Sequence, residues 1–480
     1  MPGSSSHEVG WHWFWSKVFL VLSISDVFVW ARVIHCVQFF WALFCIGFFT
    51  YTVATIFFPG LTKTVRQLIG LYGAWVFILG AGTLSVRYQM SWLLWYSVNY
   101  QGATLPSYFL AMAFVLDVLV GVNRPTVFGG PIAKMALVVA LVALIVSWHP
   151  LEASYFIVAL ALLVAFFPDR VVSFGRTSPV GSILLIIGIV SIPILLIVLP
   201  VVGVRIPQSR GLALLATPDA FFGEVSNIGH RIQELGMHRG PSSFSEAPIL
   251  GCILLGFGVC FSAFQYFVKH QLWGADSNRI RLMLWAFFAS VGFGFAPQIG
   301  IISGFLGVMT VDEQVWRFAF ASPWFLGFSI WAAYWIQGRL TFYRCGVAAA
   351  PLLFVFLFSR FVTHGPFNGN ASSMFRSLEV RSRDSVGIQY DRSALKRLEA
   401  TVLGIPAPLN GKQNVFLVRA DLQTYLRAAT GVYVLGYRLE PVSKQLFNGL
   451  SDRFELVEIP PPPDLPVDEE MRKSFPMMGL

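Results

Sequence analysis

Long apolar segments, separated by short polar ones, fill the first 363 residues of the chain. A helix that crosses a bilayer needs about 20 consecutive apolar residues, so the pattern predicts a bundle of about eleven transmembrane helices. The predicted helices are 13–31, 35–58, 68–86, 105–121, 135–148, 153–167, 179–202, 248–268, 282–303, 320–336 and 346–363. The first two come from one apolar stretch that we divide at Arg32. The fifth and sixth are short and share a His-Pro turn, so a re-entrant pair is the alternative there.

The pattern changes in residues 364–480. Two β-rich runs, NVFLV and VYVLGY, flank the amphipathic stretch DLQTYLRAA, which Gly431 ends. This order predicts strand, helix, strand and hence a small α/β domain. The last stretch, IPPPPDLPVDEEMRKSFPMMGL, is proline-rich and should be extended. The predicted fold is therefore an all-α polytopic membrane helix bundle (1–363) followed by a small C-terminal α/β domain (364–480).

Composition supports the membrane class. The 480 residues are 56% hydrophobic and 12% charged, whereas a soluble domain has about 25% charged residues. No soluble fold buries so much apolar surface. The net charge of +9 could indicate a nucleic-acid partner, but no basic patch with interleaved aromatic residues is present. Basic loops on one side of a membrane account for the charge, and we expect no nucleic-acid binding.

The distribution of these charges predicts an orientation. One set of alternate loops holds eleven Lys and Arg in 53 positions, and the other set holds seven in 86. The richer set comprises loops 61–67, 122–134, 168–178, 269–281 and 337–345. Lys and Arg mark the cytoplasmic side, so we expect a cytoplasmic N-terminus. The 203–247 loop and the C-terminal α/β domain are then extracytoplasmic.

Charged residues inside or beside predicted spans include Asp26, Arg32, Asp117 and Arg360. Such groups are costly in lipid and are functional candidates by default. Asp26 is either half of a buried ion pair or a catalytic carboxylate. Asp117 lies near the cytoplasmic end of its helix, where a residue at the membrane interface or an interhelical hydrogen bond is the simpler expectation. No pair among the five cysteines has zinc-ligand spacing with His, so no metal site is predicted.

The segment SWHPLEASYF, residues 147–156, falls on the predicted outer face. Pro150 suits the first turn of a helix, and Glu152 is favoured electrostatically near a helix N-terminus. One interpretation is therefore a capped turn. The other is that His149 and Glu152 line a cavity at the outer membrane surface.

The 203–247 loop contains apolar residues at roughly helical spacing, which predicts an amphipathic helix along the bilayer. It either covers the bundle or forms a lid over a lipid-linked substrate. Its basic side chains, His230, His238, Arg231 and Arg239, suit a phosphate.

The predicted outer loop 304–319 contains Asp312, Glu313 and Arg317. An acidic pair and an arginine at a membrane mouth could bind a pyrophosphate or a sugar. A solvated turn with an (i, i+4) Glu–Arg pair is the structural alternative.

The order of these segments resembles the later part of bacterial GT-C membrane glycosyltransferases, over roughly residues 90–440. Five segments carry the resemblance: VNYQGATLPSYFLAMAFVL, SWHPLEASYFIVALALLVAFF, NRIRLMLWAFFASVGFGFAPQ, VDEQVWRFAFASPWFLGFSI and NVFLVRADLQTYLRAATGVYVLG. The resemblance implies glycosyl transfer from a polyprenyl-phosphate-linked sugar at the outer face of a bacterial inner membrane.

In that family a carboxylate in a large first outer loop acts as a base or as a ligand for a divalent cation, such as Mg²⁺ or Mn²⁺. This chain lacks that loop. The carboxylates that remain as catalytic candidates are Glu152, Asp312, Glu313 and Asp26. The candidate substrate-binding residues are His149, His230, Arg231, Arg239 and Arg317.

Two other functions stay open. A chain that has lost the first outer loop could serve as a non-catalytic subunit of a membrane complex and bind other membrane subunits. A lipid or solute transporter is the third possibility, and GFGFAPQIGIISG is one Gly/Pro-broken segment of the kind that transporters use.

Overall fold

The structure is a computed structural model of the chain. It describes residues 9–23, 27–80, 101–121, 128–148, 151–201, 277–295, 321–336, 341–364, 392–406, 408, 413–418, 426, 429–430, 433–436 and 454–459. The chain divides into two compact units. One, the bundle, contains the described helices from Cys36 to His364. The other contains the first described helix, the start of the second, and the C-terminal helix and strands.

The described part of the chain is mostly helical. The helices are α1 (Val9–Val21), α2 (Val27–Phe57), α3 (Lys63–Gly80), α4 (Gln101–Leu119), α5 (Pro131–Trp148), α6 (Leu151–Phe166), α7 (Pro168–Thr177), α8 (Pro179–Val201), α9 (Ser277–Phe295), α10 (Phe325–Ile336), α11 (Phe342–His364) and α12 (Arg392–Gly404). The strands are β1 (Gln413–Val418), β2 (Tyr433–Gly436) and β3 (Phe454–Glu458).

Three helices among the described residues are long and apolar enough to cross a membrane. These segments are Cys36–Phe57, Gly102–Leu119 and Pro131–Trp148. They fit the membrane protein that the composition predicts. The predicted helix at 248–268 lies outside the described residues.

The predicted division at Arg32 is wrong. α2 runs without a break from Val27 through Arg32 to Phe57, because arginine is a good helix former and no glycine or proline is near it. The break falls earlier, after α1 ends at Val21, and Ser23 there has a positive φ of 54°.

The predicted loop at 168–178 is also wrong, because most of it is helix α7. Pro168 occupies the first turn of α7, where its missing N–H has no helical partner to lose. α6 and α7 meet at an angle of 96°. α7 is amphipathic, with Phe174 buried and its charged residues exposed.

α2 and α3 run antiparallel and touch through glycine. A Cβ atom on Gly70 would lie 2.6 Å from the carbonyl oxygen of Gly47, and one on Gly73 would lie 2.5 Å from Oγ1 of Thr50. The missing side chains let the two backbones approach closely, which is how helices pack where lipid supplies no hydrophobic drive.

Four phenylalanine rings form the centre of the bundle. We call Phe49 of α2, Phe77 of α3, Phe109 of α4 and Phe325 of α10 the phenylalanine cluster. Their centroids are 5.3–6.0 Å apart in five pairs, and all four side chains are buried. Four of the five pairs are edge-to-face or close to it, a geometry that adds stability beyond burial.

The pairs along neighbouring helices give their directions. α4 runs parallel to α2, because Trp41 Nε1 donates a hydrogen bond to Ser107 and, further along both helices, the Phe48 ring packs against the Phe114 ring. α6 and α9 are antiparallel, since Tyr155 meets Phe293 while Trp285 donates to the Ala159 carbonyl at 3.2 Å. α10 is antiparallel to α11, because Trp331 donates a hydrogen bond to the Val347 carbonyl and the Trp335 ring packs against the Tyr343 ring.

In the second unit, β1 is the central strand of a parallel sheet of order β2-β1-β3. Val415 pairs with Tyr433 on one side and with Leu456 on the other. α12 covers part of the sheet through a buried apolar cluster that includes Leu395, Leu398 and Phe416.

We expect Gly70→Ala to lower the stability of the bundle, because the added methyl group meets the Gly47 carbonyl at 2.6 Å. Overpacking of this kind costs about 1–3 kcal/mol. The matched control is Gly292→Ala in α9, where a Cβ meets nothing within 4 Å. Thermal unfolding of the purified protein in detergent measures both. Equal melting temperatures for the two variants would contradict the close α2–α3 contact.

Phe109→Ala removes three ring contacts of the phenylalanine cluster. We expect the free energy of unfolding to fall by about 3 kcal/mol, which is at the low end for such a truncation. The variant loses packing contacts, but it loses little hydrophobic transfer energy because the surrounding lipid is itself apolar. Phe342→Ala, at a ring that is 98% exposed, serves as the control and should change unfolding in the same assay by far less. A similar loss in both variants would show that the cluster does not hold the bundle together.

Candidate functional site

The bundle has two chemically different ends. The first, the basic end, holds the starts of α3, α5, α9 and α11 together with α7. Its basic residues are Lys63, Arg66, Lys134, Arg170, Arg176, Arg279, Arg281 and Arg344. Within the described residues of the bundle, Arg360 is the remaining Lys or Arg and lies in the second half of α11. The charge is therefore strongly concentrated at one end.

Asp117 and Lys134 connect α4 to α5 at the basic end. Lys134 Nζ lies 2.5 Å from Asp117 Oδ2, and Lys134 is only 4% exposed. The interhelical hydrogen bond expected for Asp117 is therefore present. Lys134 belongs to α5 rather than to the predicted loop. Because each charge is largely removed from water, the pair holds the two helix ends in one register.

Asp169 and Arg281 make a second ion pair at this end, between α7 and α9. Slight burial raises the pKa of Asp169, but the hydrogen bond from Arg281 and the charges of Arg281 and Arg170 outweigh it, so that the net pKa is lowered. A carboxyl with a lowered pKa contributes its stability above its unfolded pKa and loses it as the pH falls through the folded one. The link between α7 and α9 is thus complete at neutral pH.

The opposite end holds the buried carboxylate of Glu152, in the first turn of α6. Its side chain is 2% exposed. Glu152 is the one predicted catalytic residue that lies within the described residues.

Two tyrosines lie at the face of α6 that carries Glu152: Tyr155 on the face itself and Tyr108 packed against it. Tyr155 follows Glu152 by three residues, so both lie on the same helical face. The Tyr155 ring meets Tyr108 of α4 and Phe293 of α9, each at 6.2 Å between centroids. The face with Glu152 is therefore directed at α4 and α9, toward the interior of the bundle.

Buried hydroxyl groups surround this end of α4, α9 and the start of α10. Tyr108 donates to the Ala321 carbonyl at 3.3 Å, and Ser322 donates to the Ser290 carbonyl at 3.1 Å. Ser107 accepts from Trp41 Nε1 at 3.0 Å. We call Glu152, Tyr108, Tyr155, Ser290 and Ser322, with these bonds, the Glu152 layer. It joins residues from four segments far apart in the sequence.

The layer places one carboxyl group, that of Glu152, at the same end of the bundle as hydroxyl groups that bond backbone carbonyls. Catalytic groups of this kind act at hydrogen-bond distance from the proton they remove. Among the described residues no three His, Cys, Asp or Glu side chains lie together as a metal site requires. The described residues therefore do not form a site for the divalent cation that the resemblance implies.

Most predicted site residues lie outside the described residues. These are Asp26, His149, His230, Arg231, Arg239, Asp312, Glu313 and Arg317. Their roles stay predictions. Their positions relative to Glu152 lie outside what the structure describes.

Sequence reasoning missed Tyr108, Tyr155, Ser290 and Ser322. One signal was present in the stretch NYQGATLPSYF, where polar residues recur inside an apolar helix. Polar side chains in a spanning helix usually face the bundle interior. No signal in one sequence could have paired Tyr108 with Ala321, 213 positions apart.

No family model matches the chain, and no curated protein or solved structure is significantly similar to it.

We expect Lys134→Met to destabilise the bundle by about 3 kcal/mol or more, because it leaves the Asp117 carboxylate without its cation. Asp117→Leu should have a similar effect on Lys134. The double variant removes both charges and should recover most of the loss, since a buried pair and an apolar pair are often equally stable. Unfolding of all three in detergent provides the cycle. Additive losses in the double variant would show that the two residues do not act as a pair.

Proposed function

We propose that the chain is an integral membrane glycosyltransferase of the GT-C kind, with the Glu152 layer as its catalytic end. The observation that carries the proposal is a carboxylate, 2% exposed, in the first turn of a membrane helix. An ionisable group buried within a membrane protein is retained at a cost, and it usually marks a substrate or proton pathway. The proposed donor is a sugar linked to a polyprenyl phosphate.

The charge distribution supports the orientation that this function needs. Lys and Arg gather at the basic end, and such clusters mark the cytoplasmic side. With the basic end in the cytoplasm, the Glu152 layer faces the extracytoplasmic side. A polyprenyl-linked sugar presented at that surface would reach Glu152 from the outer leaflet. The resemblance to bacterial GT-C glycosyltransferases is the reason for proposing a bacterial inner membrane as the location.

The proposed chemistry is a displacement at the anomeric carbon. An acceptor hydroxyl attacks that carbon, and the bond to the polyprenyl phosphate breaks with its electron pair. The Glu152 carboxylate accepts the hydroxyl proton, which balances the step. The hydroxyl groups of Tyr108 and Ser322 lie at the same end of the bundle and would orient the sugar by hydrogen bonds.

Glu152→Gln tests this role with little change in size. We expect it to lower transfer by about 10²–10⁴-fold, the usual contribution of a general base. The assay follows release of polyprenyl phosphate from a panel of polyprenyl-phosphate sugars, added to the full chain in lipid vesicles. The melting temperature of each variant is measured alongside.

The matched control is Glu399→Gln in α12, which removes an ion pair with Lys396 but no group of the Glu152 layer. It should keep full activity. Retained activity in a folded Glu152→Gln variant would reject Glu152 as the base and leave Asp26, Asp312 and Glu313 to be changed in turn. Absence of release by the wild-type chain with every donor would favour the non-catalytic subunit.

A further inference from the structure

α7 leaves α6 at the basic end, and two aromatic anchors hold it against the bundle. Phe167, at the 96° bend, and Phe174, in the middle of α7, are both buried. The charged residues of α7 are exposed. α6 and α7 are apolar enough to cross a membrane only as a bent pair. A short amphipathic helix that leaves an apolar helix at right angles has the geometry of an element that lies along the bilayer surface.

The arginines near this bend outnumber the acids. Arg170 and Arg176 belong to α7, while Arg279 and Arg281 belong to the first turns of α9, and Asp169 is the one acid on these two segments. Asp169 is engaged by Arg281. Nε of Arg279 is buried and has no hydrogen-bond partner within the described part of the chain. The segments therefore present guanidinium groups that their own acid does not neutralise.

Apolar side chains are exposed next to these arginines. Val172 of α7, with Val180 and Ile183 at the start of α8, are all more than half exposed in the protein alone. A surface that combines guanidinium groups with exposed branched apolar side chains matches the two parts of a phospholipid. Arginine also binds phosphate through two parallel N–H bonds, which a lysine cannot do.

We propose that α7 and the first turns of α9 form a binding site for an anionic phospholipid, which we call the elbow site. Arg170, Arg176 and Arg279 bind the headgroup phosphate. Arg281 keeps α7 in place through Asp169. The acyl chains lie along Val172, Val180 and Ile183. Charge complementarity selects an anionic lipid over a zwitterionic one. The elbow site is independent of glycosyl transfer at the Glu152 layer.

The test is a titration of the full-length protein in detergent with two short-chain lipids, dioctanoyl phosphatidylglycerol and dioctanoyl phosphatidylcholine. We expect phosphatidylglycerol to bind about tenfold more tightly, because each arginine at a membrane surface adds appreciable attraction for an anionic lipid. The variant Arg176→Gln/Arg279→Gln should lose this preference. The control Lys63→Gln/Arg344→Gln removes the same charge from the basic end, at the starts of α3 and α11, and should keep it.

Three outcomes overturn the proposal. Equal loss in both double variants would mean a diffuse field rather than a site. An unchanged preference in Arg176→Gln/Arg279→Gln would remove these arginines from the site. Competition by inorganic phosphate at concentrations equal to the lipid would mean that the site binds free phosphate without a lipid.

A second variant protects the test if the double variant does not fold. Arg176 is exposed on α7, so Arg176→Gln alone should leave the melting temperature unchanged. It should weaken phosphatidylglycerol binding by about threefold to fivefold. No weakening in that folded variant would also reject the elbow site.

Discussion

The packing of one aromatic ring, Phe325, is the constraint on which the bundle depends. Phe325 meets Phe49, Phe77 and Phe109, so that a single side chain on α10 connects it to α2, α3 and α4. In lipid there is little hydrophobic gain on bringing helices together, and close packing must supply the stability instead. The glycine contacts between α2 and α3 bring Phe49 and Phe77 near enough for this arrangement. Both ends of the bundle are thereby held in register, and the Glu152 layer and the basic end keep their separate chemistries.

The hydroxyl groups inside the bundle also have to be satisfied without water, and several of them bond to their own helix. Thr50, Ser107, Ser290 and Ser329 each donate to a backbone carbonyl four residues earlier on their own helix. A polar side chain satisfied in this way can lie in an apolar interior without a partner on another helix. Ser107 then still accepts a bond from Trp41, and the Ser290 carbonyl accepts one from Ser322. Within the Glu152 layer, Ser290 is a group of this kind.

Sequence alone predicted the elements that depend on local pattern. The apolar runs located α3 to α6, α8, α10 and α11 to within six residues and the start of α9 to within five, whereas the division of α2 at Arg32 was wrong. α7 was missed because its charges and its proline resemble a loop, although Val171 and Phe174 are at helical spacing. Glu152 was found because a carboxylate beside an apolar run stands out. Tyr155, three residues away, was not found, because its place in the layer depends on its ring contact with Tyr108 on another helix. The strand β3 was hidden by the prolines that follow it.

The right-angled bend after α6 has a consequence for the bilayer itself. α5 has 18 residues and α6 has 16, so the two helices are about 27 and 24 Å long. The hydrocarbon core of an ordinary bilayer is about 30 Å thick. Because α6 bends by 96° into α7, α6 does not continue straight to reach that thickness. A hydrophobic segment that is shorter than the hydrocarbon core can be accommodated by local thinning of the bilayer. A hairpin of this length is therefore matched best by a thin bilayer.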